Sequence, residues 1–194
     1  MNIAGLILAA GESSRMGSDK ALLTYRGRTF LETILANLRD ADIAEVAVVL
    51  GHHAQEIQNS VDLRGTRVVI NRDYQAGQTS SLQTGLAALE GTSPEAVVLC
   101  LVDHPTVSSD VIAKLCDHFQ LGKFKVIVPT YQGQKGHPVI IGKALFPELL
   151  ALGHDQGANS VIRQYRTATR FVEVDDPGIL VDVDDPETYL RLEA

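Results

Sequence analysis

Residues 3–20 read Ile3-Ala4-Gly5-Leu6-Ile7-Leu8-Ala9-Ala10-Gly11-Glu12-Ser13-Ser14-Arg15-Met16-Gly17-Ser18-Asp19-Lys20. The run from Ile3 to Ala10 is apolar on both alternating faces, the pattern of a strand buried on both sides within a parallel sheet. It stops at Gly11, and small, polar or charged residues dominate from there to Lys20. Gly11 and Gly17 can take backbone angles closed to other residues and leave their N–H groups uncovered. Directly after a buried strand, such a loop makes an anion cradle. Arg15 adds charge as a planar fork, Lys20 as a mobile point charge. Two familiar phosphate loops are excluded by spacing. The dinucleotide pattern needs Gly where Ser13 stands, and the Walker pattern needs four residues between its glycines and then an immediate Lys. A solvated surface loop with two cations is the competing reading of the same residues.

The remainder of the chain sets bounds on that site. Its 194 residues, 45% hydrophobic, suit a single domain over 1–194. A net charge of −7 with no basic run argues against nucleic acid or an anionic membrane as partner. No apolar run reaches the ~20 residues of a membrane span. The first residues lack the basic region of a cleaved leader. Cys100 lies in an apolar run and Cys116 on the apolar side of a predicted helix, as buried thiols of a reducing cytoplasm would.

Outward from the loop, apolar residues at helical spacing predict a helix over 29–41, with Phe30, Leu31, Ile34, Leu35 and Leu38 inward. A β-rich run over 45–50 ends at Gly51. His52 and His53 follow as loop histidines, then a short helix over 54–61 and a strand over 66–71. Strands alternating with helices predict a mostly parallel α/β sheet, with ligands at the carboxyl ends of the strands. Thr79 or Ser80 is expected to cap a helix containing Leu82, Leu86 and Leu89. Residues 95–102 form the strongest predicted strand, closed by Asp103-His104-Pro105. A carboxylate there is either a turn residue or a ligand on a rigid support. Ser108 is expected to cap a helix with Val111, Ile112, Leu115 and Phe119 inward.

Further strands are predicted over 125–130 and 170–174 and a β segment from Val139. The segment 132–138 forms a Gly-rich turn in which His137 reads as base, ligand or plain turn residue. Helices are expected over 146–152, 159–165 and from Pro186 to Leu192. In the tail, strand alternation would put Asp182 and Asp184 on one face, and a solvated acidic turn is the other reading.

Leu-Ala-Ala-Gly-x-Ser-x-Arg-Met-Gly-x-x-Lys over 8–20 resembles the signature loop of sugar-nucleotide and molybdenum cofactor nucleotidyltransferases. The resemblance continues in order through Gly77-x-x-Ser80-Ser81-Leu82, Asp103-x-Pro105, Gly136-His137-Pro138 and the turn at 153–158. It implies a three-layer α/β/α, Rossmann-like domain of the nucleotide-diphospho-sugar transferase type. The implied reaction transfers CMP from CTP to a phosphate monoester, molybdopterin by preference, with release of pyrophosphate. Arg15, Lys20 and Asp103 would be catalytic. Leu8, Ala9, Ala10, Gly11, Gln78, Ser80 and Ser81 would join them in holding the nucleotide.

Lys135, Gly136, His137, Pro138, Asp155 and Gly157 would face the acceptor, although Lys135 stands where Arg is more usual and Gln78 where Met is. Mg²⁺ would sit on Asp103 with Asp182 or Asp184, and Asp182 is preferred because Asp184 can cap the last helix. The family's guanosine branch tends to have Gly at the place of Ala10, so the resemblance implies CTP over GTP. It also implies a transient contact with a molybdoenzyme or its chaperone. A sugar or alditol phosphate acceptor, a non-catalytic nucleotide binder and an oxidoreductase are the rival readings, since fold does not fix function.

Overall fold

The computed structural model describes residues 2–13, 16–153 and 155–193. The opening run forms β1 (Ile3–Ala9), buried at every residue. The hairpin strands β2 (Thr24–Tyr25) and β3 (Arg28–Thr29) follow, then α1 (Phe30–Asp40), β4 (Val46–Leu50), α2 (Ala54–Ser60) and β5 (Arg67–Ile70). Next come α3 (Gln78–Ala88), β6 (Ala96–Leu101), α4 (Ser109–Gln120), β7 (Val126–Tyr131), β8 (Gln134–Lys135) and β9 (Val139–Gly142). The chain closes with α5 (Phe146–Leu150), α6 (Ala158–Gln164), β10 (Thr169–Glu173) and α7 (Pro186–Glu193). Among the described residues no helix is long and apolar enough to cross a membrane.

The main sheet runs β10-β7-β9-β6-β1-β4-β5, with β8 paired to β7. All pairs in it are parallel except those made by β9 and β8. The chain therefore starts at the centre, walks outward through β4 and β5, and returns to the other side of β1 as β6. That reversal makes the gap beyond β1 and β6 the topological switch point, where open α/β sheets bind ligands.

Alternation along the strands divides the core in two. Ile3, Ile7, Val46, Val48, Val98 and Cys100 pack against the inward faces of α1 and α4. Leu6, Leu8, Ala47, Val49, Val97 and Leu99 pack against Leu82, Leu86, Leu145, Leu149 and Val161. Helices thus cover both faces, giving the three-layer, mostly parallel α/β architecture. The helix α1 starts on a capping box: Thr29 Oγ1 accepts from the Glu32 N–H, and Glu32 accepts from the Thr29 N–H.

Four local expectations fail. Thr79 and Ser80 do not cap α3, which begins at Gln78 after Gly77 in a positive-φ conformation, 98°. Their hydroxyls find other acceptors, Gln156 O for Thr79 and the Asp73 and Gly77 carbonyls for Ser80. Residues 181–184 join no ladder, so strand alternation is not what places Asp182 and Asp184. The last helix is capped by Asp185, whose carboxylate accepts from the Thr188 N–H at 2.8 Å, rather than by Asp184. Ser108 does precede α4, but it donates to Asp176 Oδ2 at 2.8 Å instead of capping through its own side chain.

Candidate active site

The loop after β1 turns on contacts among its own residues. Ser13 Oγ accepts the Lys20 N–H at 3.0 Å, closing the loop at its base. Buried Asp19 holds the next turn, with Oδ1 accepting from the Ala21 N–H at 2.9 Å and Oδ2 lying 3.2 Å from His53 Nδ1. Arg15, together with Ser14 and His154, lies outside the described residues. On the flank, Gly51 lets the end of β4 approach, because a Cβ there would come within 2.4 Å of the Ala10 carbonyl oxygen.

On the other side of the switch point, β6 delivers Asp103 to the same edge. The Val102 N–H donates to Leu8 O at 3.2 Å, tying the end of β6 to the end of β1. The tail then folds back over this edge. The Val183 N–H donates to Asp103 O at 3.0 Å, the His137 N–H to Ile179 O at 3.0 Å, and Thr106 Oγ1 to Gly178 O at 2.9 Å. Gly136 is required for that docking, since a Cβ would stand 2.3 Å from Ile179 O.

These movements bring one lysine between carboxylates of two distant segments. Lys20 Nζ donates to Asp103 Oδ2 at 3.1 Å and makes a short bond to Asp184 Oδ1. Its half-burial works against the charged form, but Asp184 and Asp103 outweigh it and raise its pKa above the ordinary lysine value. Asp103 Oδ1, by contrast, is buried with no hydrogen-bond partner among the described residues. Asp182 is held above the usual carboxylate range, first by burial and then by the Asp103 and Asp184 charges. That repulsion is what a cation placed among the carboxylates relieves.

The cavity over this edge measures about 330 Å³. Its floor and walls include Leu8, Ala9, Ala10, Gly11, Lys20, Gln78, Ser81 and Asp103, residues proposed from sequence to hold a nucleotide. Ser80 is outside it, fully engaged with Asn71, Asp73 and Gly77. Asp184 joins the lining.

The residues proposed for the acceptor do not line this cavity. His137 and Pro138, across a cis peptide bond, instead border a crevice of about 10 Å³ with His104, Cys100 and Asn37. Lys135 lays its ammonium over the Phe171 ring at 4.8 Å from the centroid. Asp155 and Gly157 are exposed in the turn before α6, which meets α3 through the Thr79 hydroxyl on Gln156 O.

Sequence reading missed His104, Tyr74 and Asp19. His104 is buried beside Asp103, its Nε2 4.0 Å from Asp103 Oδ1 and its ring 5.0 Å from that of His137. Burial lowers the pKa of both histidines, and His137, also facing His104, falls to about 4. Tyr74 lines the cavity and bonds through its hydroxyl to His52 Nδ1 at 2.9 Å. An aromatic residue just past the carboxyl end of β5 was the available signal for Tyr74; the other two depend on tertiary neighbours.

The description "MobA-like NTP transferase domain" matches residues 5–169. The chain belongs to this family. It is a nucleotidyltransferase of the MobA-like kind by that membership. Over 98% of its length it is 30% identical to nicotine blue oxidoreductase of Paenarthrobacter nicotinovorans, 96% of which is covered. It is 26% identical to molybdenum cofactor cytidylyltransferase of Escherichia coli (strain K12), with 95% of this chain and 92% of that protein aligned. The crystal structure of Rv0371c from Mycobacterium tuberculosis H37Rv superposes with a TM-score of 0.87 at 32% identity, covering 100% of this chain and 98% of that one. The manganese complex of Rv0371c gives 0.81 at 29%, covering 99% and 98%.

Proposed function

We propose that residues 1–194 act as one cytidylyltransferase domain, moving CMP from CTP to the phosphate of molybdopterin in the cytoplasm. The observation that carries the reading is the cavity at the β1/β6 switch point, where Lys20 spans Asp103 and Asp184 above the Leu8–Gly11 floor. In the transfer, an acceptor phosphate oxygen forms a bond to the α-phosphorus of CTP. The bond to the β-phosphate bridging oxygen breaks, and pyrophosphate leaves with that electron pair. The acceptor is already largely ionised near neutral pH, so the chain needs no general base. Its task is alignment and charge neutralisation.

The N–H groups of the loop from Gly11 onward would take phosphate oxygens, and Lys20, held charged by its carboxylates, would place its ammonium beside them. Arg15 is proposed to add a planar contact on the same phosphates. Asp103 and Asp182 would hold a divalent cation, Mg²⁺ or the Mn²⁺ found with Rv0371c. The fit is supported by Asp103 Oδ1, buried with no partner among the described residues, and by the carboxylate repulsion at Asp182. Such an ion supplies Lewis-acid neutralisation of charge on phosphate oxygens. Ala10 is buried and lines the cavity, and its methyl would crowd a two-ring base, which supports CTP over GTP by the ~1–3 kcal/mol typical of one methyl. The molybdopterin acceptor draws its support from the E. coli relative's name and from the resemblance of segments 135–138 and 155–157 to the family's acceptor-side turns. A delivered dinucleotide cofactor would then pass to a molybdoenzyme or its chaperone.

The test is pyrophosphate release with CTP or GTP, with and without molybdopterin and simple sugar phosphates. Release that requires CTP and molybdopterin together supports the reading. Equal use of both nucleotides removes the cytidine preference, and release with a sugar phosphate instead removes the acceptor. A second reading takes support from the 30% identical relative, named as an oxidoreductase. It puts an aromatic pigment in the same cavity, and bleaching of such a pigment by added reductant without pyrophosphate release would favour it.

A further inference from the structure

The edge of β6 presents more than oxygen. Asp103 Oδ2 is taken by Lys20, while Oδ1 is buried and, among the described residues, has no hydrogen-bond partner. The His104 imidazole stands beside Oδ1, with its Nε2 4.0 Å away, too far for a hydrogen bond. His104 is 9% exposed, and its Nδ1 likewise has no partner among the described residues. Asp182 closes the group: one ligand atom from each of Asp103, His104 and Asp182 lies within 4.8 Å of the others. Two atoms that each ligate an ion at about 2.1–2.2 Å stand roughly 3–4 Å apart, so this group needs only a small contraction to chelate. Asp184 has been drawn off to Lys20.

We propose that the divalent cation of this site is held by a mixed nitrogen–oxygen set, with His104 as a direct ligand beside Asp103 and Asp182. The proposal rests on the nucleotidyltransferase reading only for the use of the ion, since its ligands are argued from geometry. Imidazole is a poor ligand for Mg²⁺, which prefers oxygen and water, and a good one for first-row transition ions. The site therefore selects Mn²⁺ over Mg²⁺. His104 also immobilises the ion from the apolar side of the edge, where Cys100 and Pro138 line the crevice around its ring.

Mn²⁺ alone is the probe, added to the full chain without nucleotide and read by pulsed electron paramagnetic resonance. Wild type is expected to bind one ion with a directly coordinated nitrogen. Incorporation of heavy-nitrogen histidine should alter that coupling, a readout that needs no variant. His104→Gln should abolish the coupling and weaken Mn²⁺ binding roughly tenfold or more, with a smaller change for Mg²⁺. His137→Gln, the neighbouring ring, should retain the coupling. Absence of Mn²⁺ binding, an oxygen-only spectrum in wild type, coupling that survives His104→Gln, or loss only in His137→Gln would each overturn the proposal. Pyrophosphate release with an oxygen-only spectrum would sink the His104 ligand and leave the transferase reading standing. Nitrogen coupling without any pyrophosphate release would do the opposite.

Discussion

Lys20 is the residue on which the candidate site converges, since its ammonium joins the loop after β1 to the end of β6 and to the tail. Lys20→Ala should lower turnover by roughly 10²-fold or more, the usual loss when one preorganised charge contact is removed. Circular dichroism should show the fold retained, because Lys20 sits at a loop outside both core clusters. Wild-type turnover in that variant would detach the loop from the chemistry. His137 gives a second residue-level expectation. Its folded-state pKa is about 4 against the ordinary 6.5, so below pH 6.5 the unfolded chain takes up a proton that the folded chain refuses. Stability is full above about pH 6.5 and declines toward pH 4, by roughly 3 kcal/mol for a shift of this size. Urea titrations across that range should show the decline in wild type and a flatter profile in His137→Asn. The two thiols should be inert: burial pushes Cys100 up to about 12 and Cys116 up to about 11. Alkylation near pH 8 should be slow in the folded protein and fast in denaturant.

At the scale of elements, the capping box of α1 and the docking of the tail are separable. Thr29→Ala removes the side-chain half of the box and should cost about 1 kcal/mol in urea unfolding, with turnover unchanged. Gly136→Ala should do the reverse. Its Cβ would collide with the Ile179 backbone and push the tail off the mouth, cutting turnover more than stability. What sequence reading reached at this scale, and what it missed, follows from how local the causes are. The strands β1 and β6 end abruptly where an unbroken apolar run meets Gly11 or Asp103, a signal contained in a few consecutive residues. The true start of α3 was hidden because Ser80 and Thr79 hydroxyls can bond to the turn before them or to Gln156 as readily as to the helix start. The tail reads as a strand in sequence because Val181 to Asp184 alternates in polarity. Its path is set instead by single bonds, from the Val183 N–H to Asp103 O and from the Val181 N–H to Gly178 O. His104 and the pairing of His53 with Asp19 across 34 residues depend on the finished fold, and no spacing in the chain signals them.

The whole molecule is a sheet whose strand order reverses beside its first strand, and that reversal explains why residues from 8 to 184 share one cavity. Neither helical layer supplies the charges; they stand on loops at the carboxyl edge, held by the rigid strands below. The proposed acceptor segments lie apart from the cavity, on the β8–β9 turn and before α6, so both substrates would have to meet at the Asp103 edge. The central claim is that this edge transfers a nucleotidyl group. It is tested most directly by supplying CTP radiolabelled either in the α- or in the γ-phosphate, together with molybdopterin and Mn²⁺, and separating the products. The account predicts α-label on the pterin and γ-label only in pyrophosphate. Label from the γ-position on the pterin, or no transfer of label from either position, would contradict it.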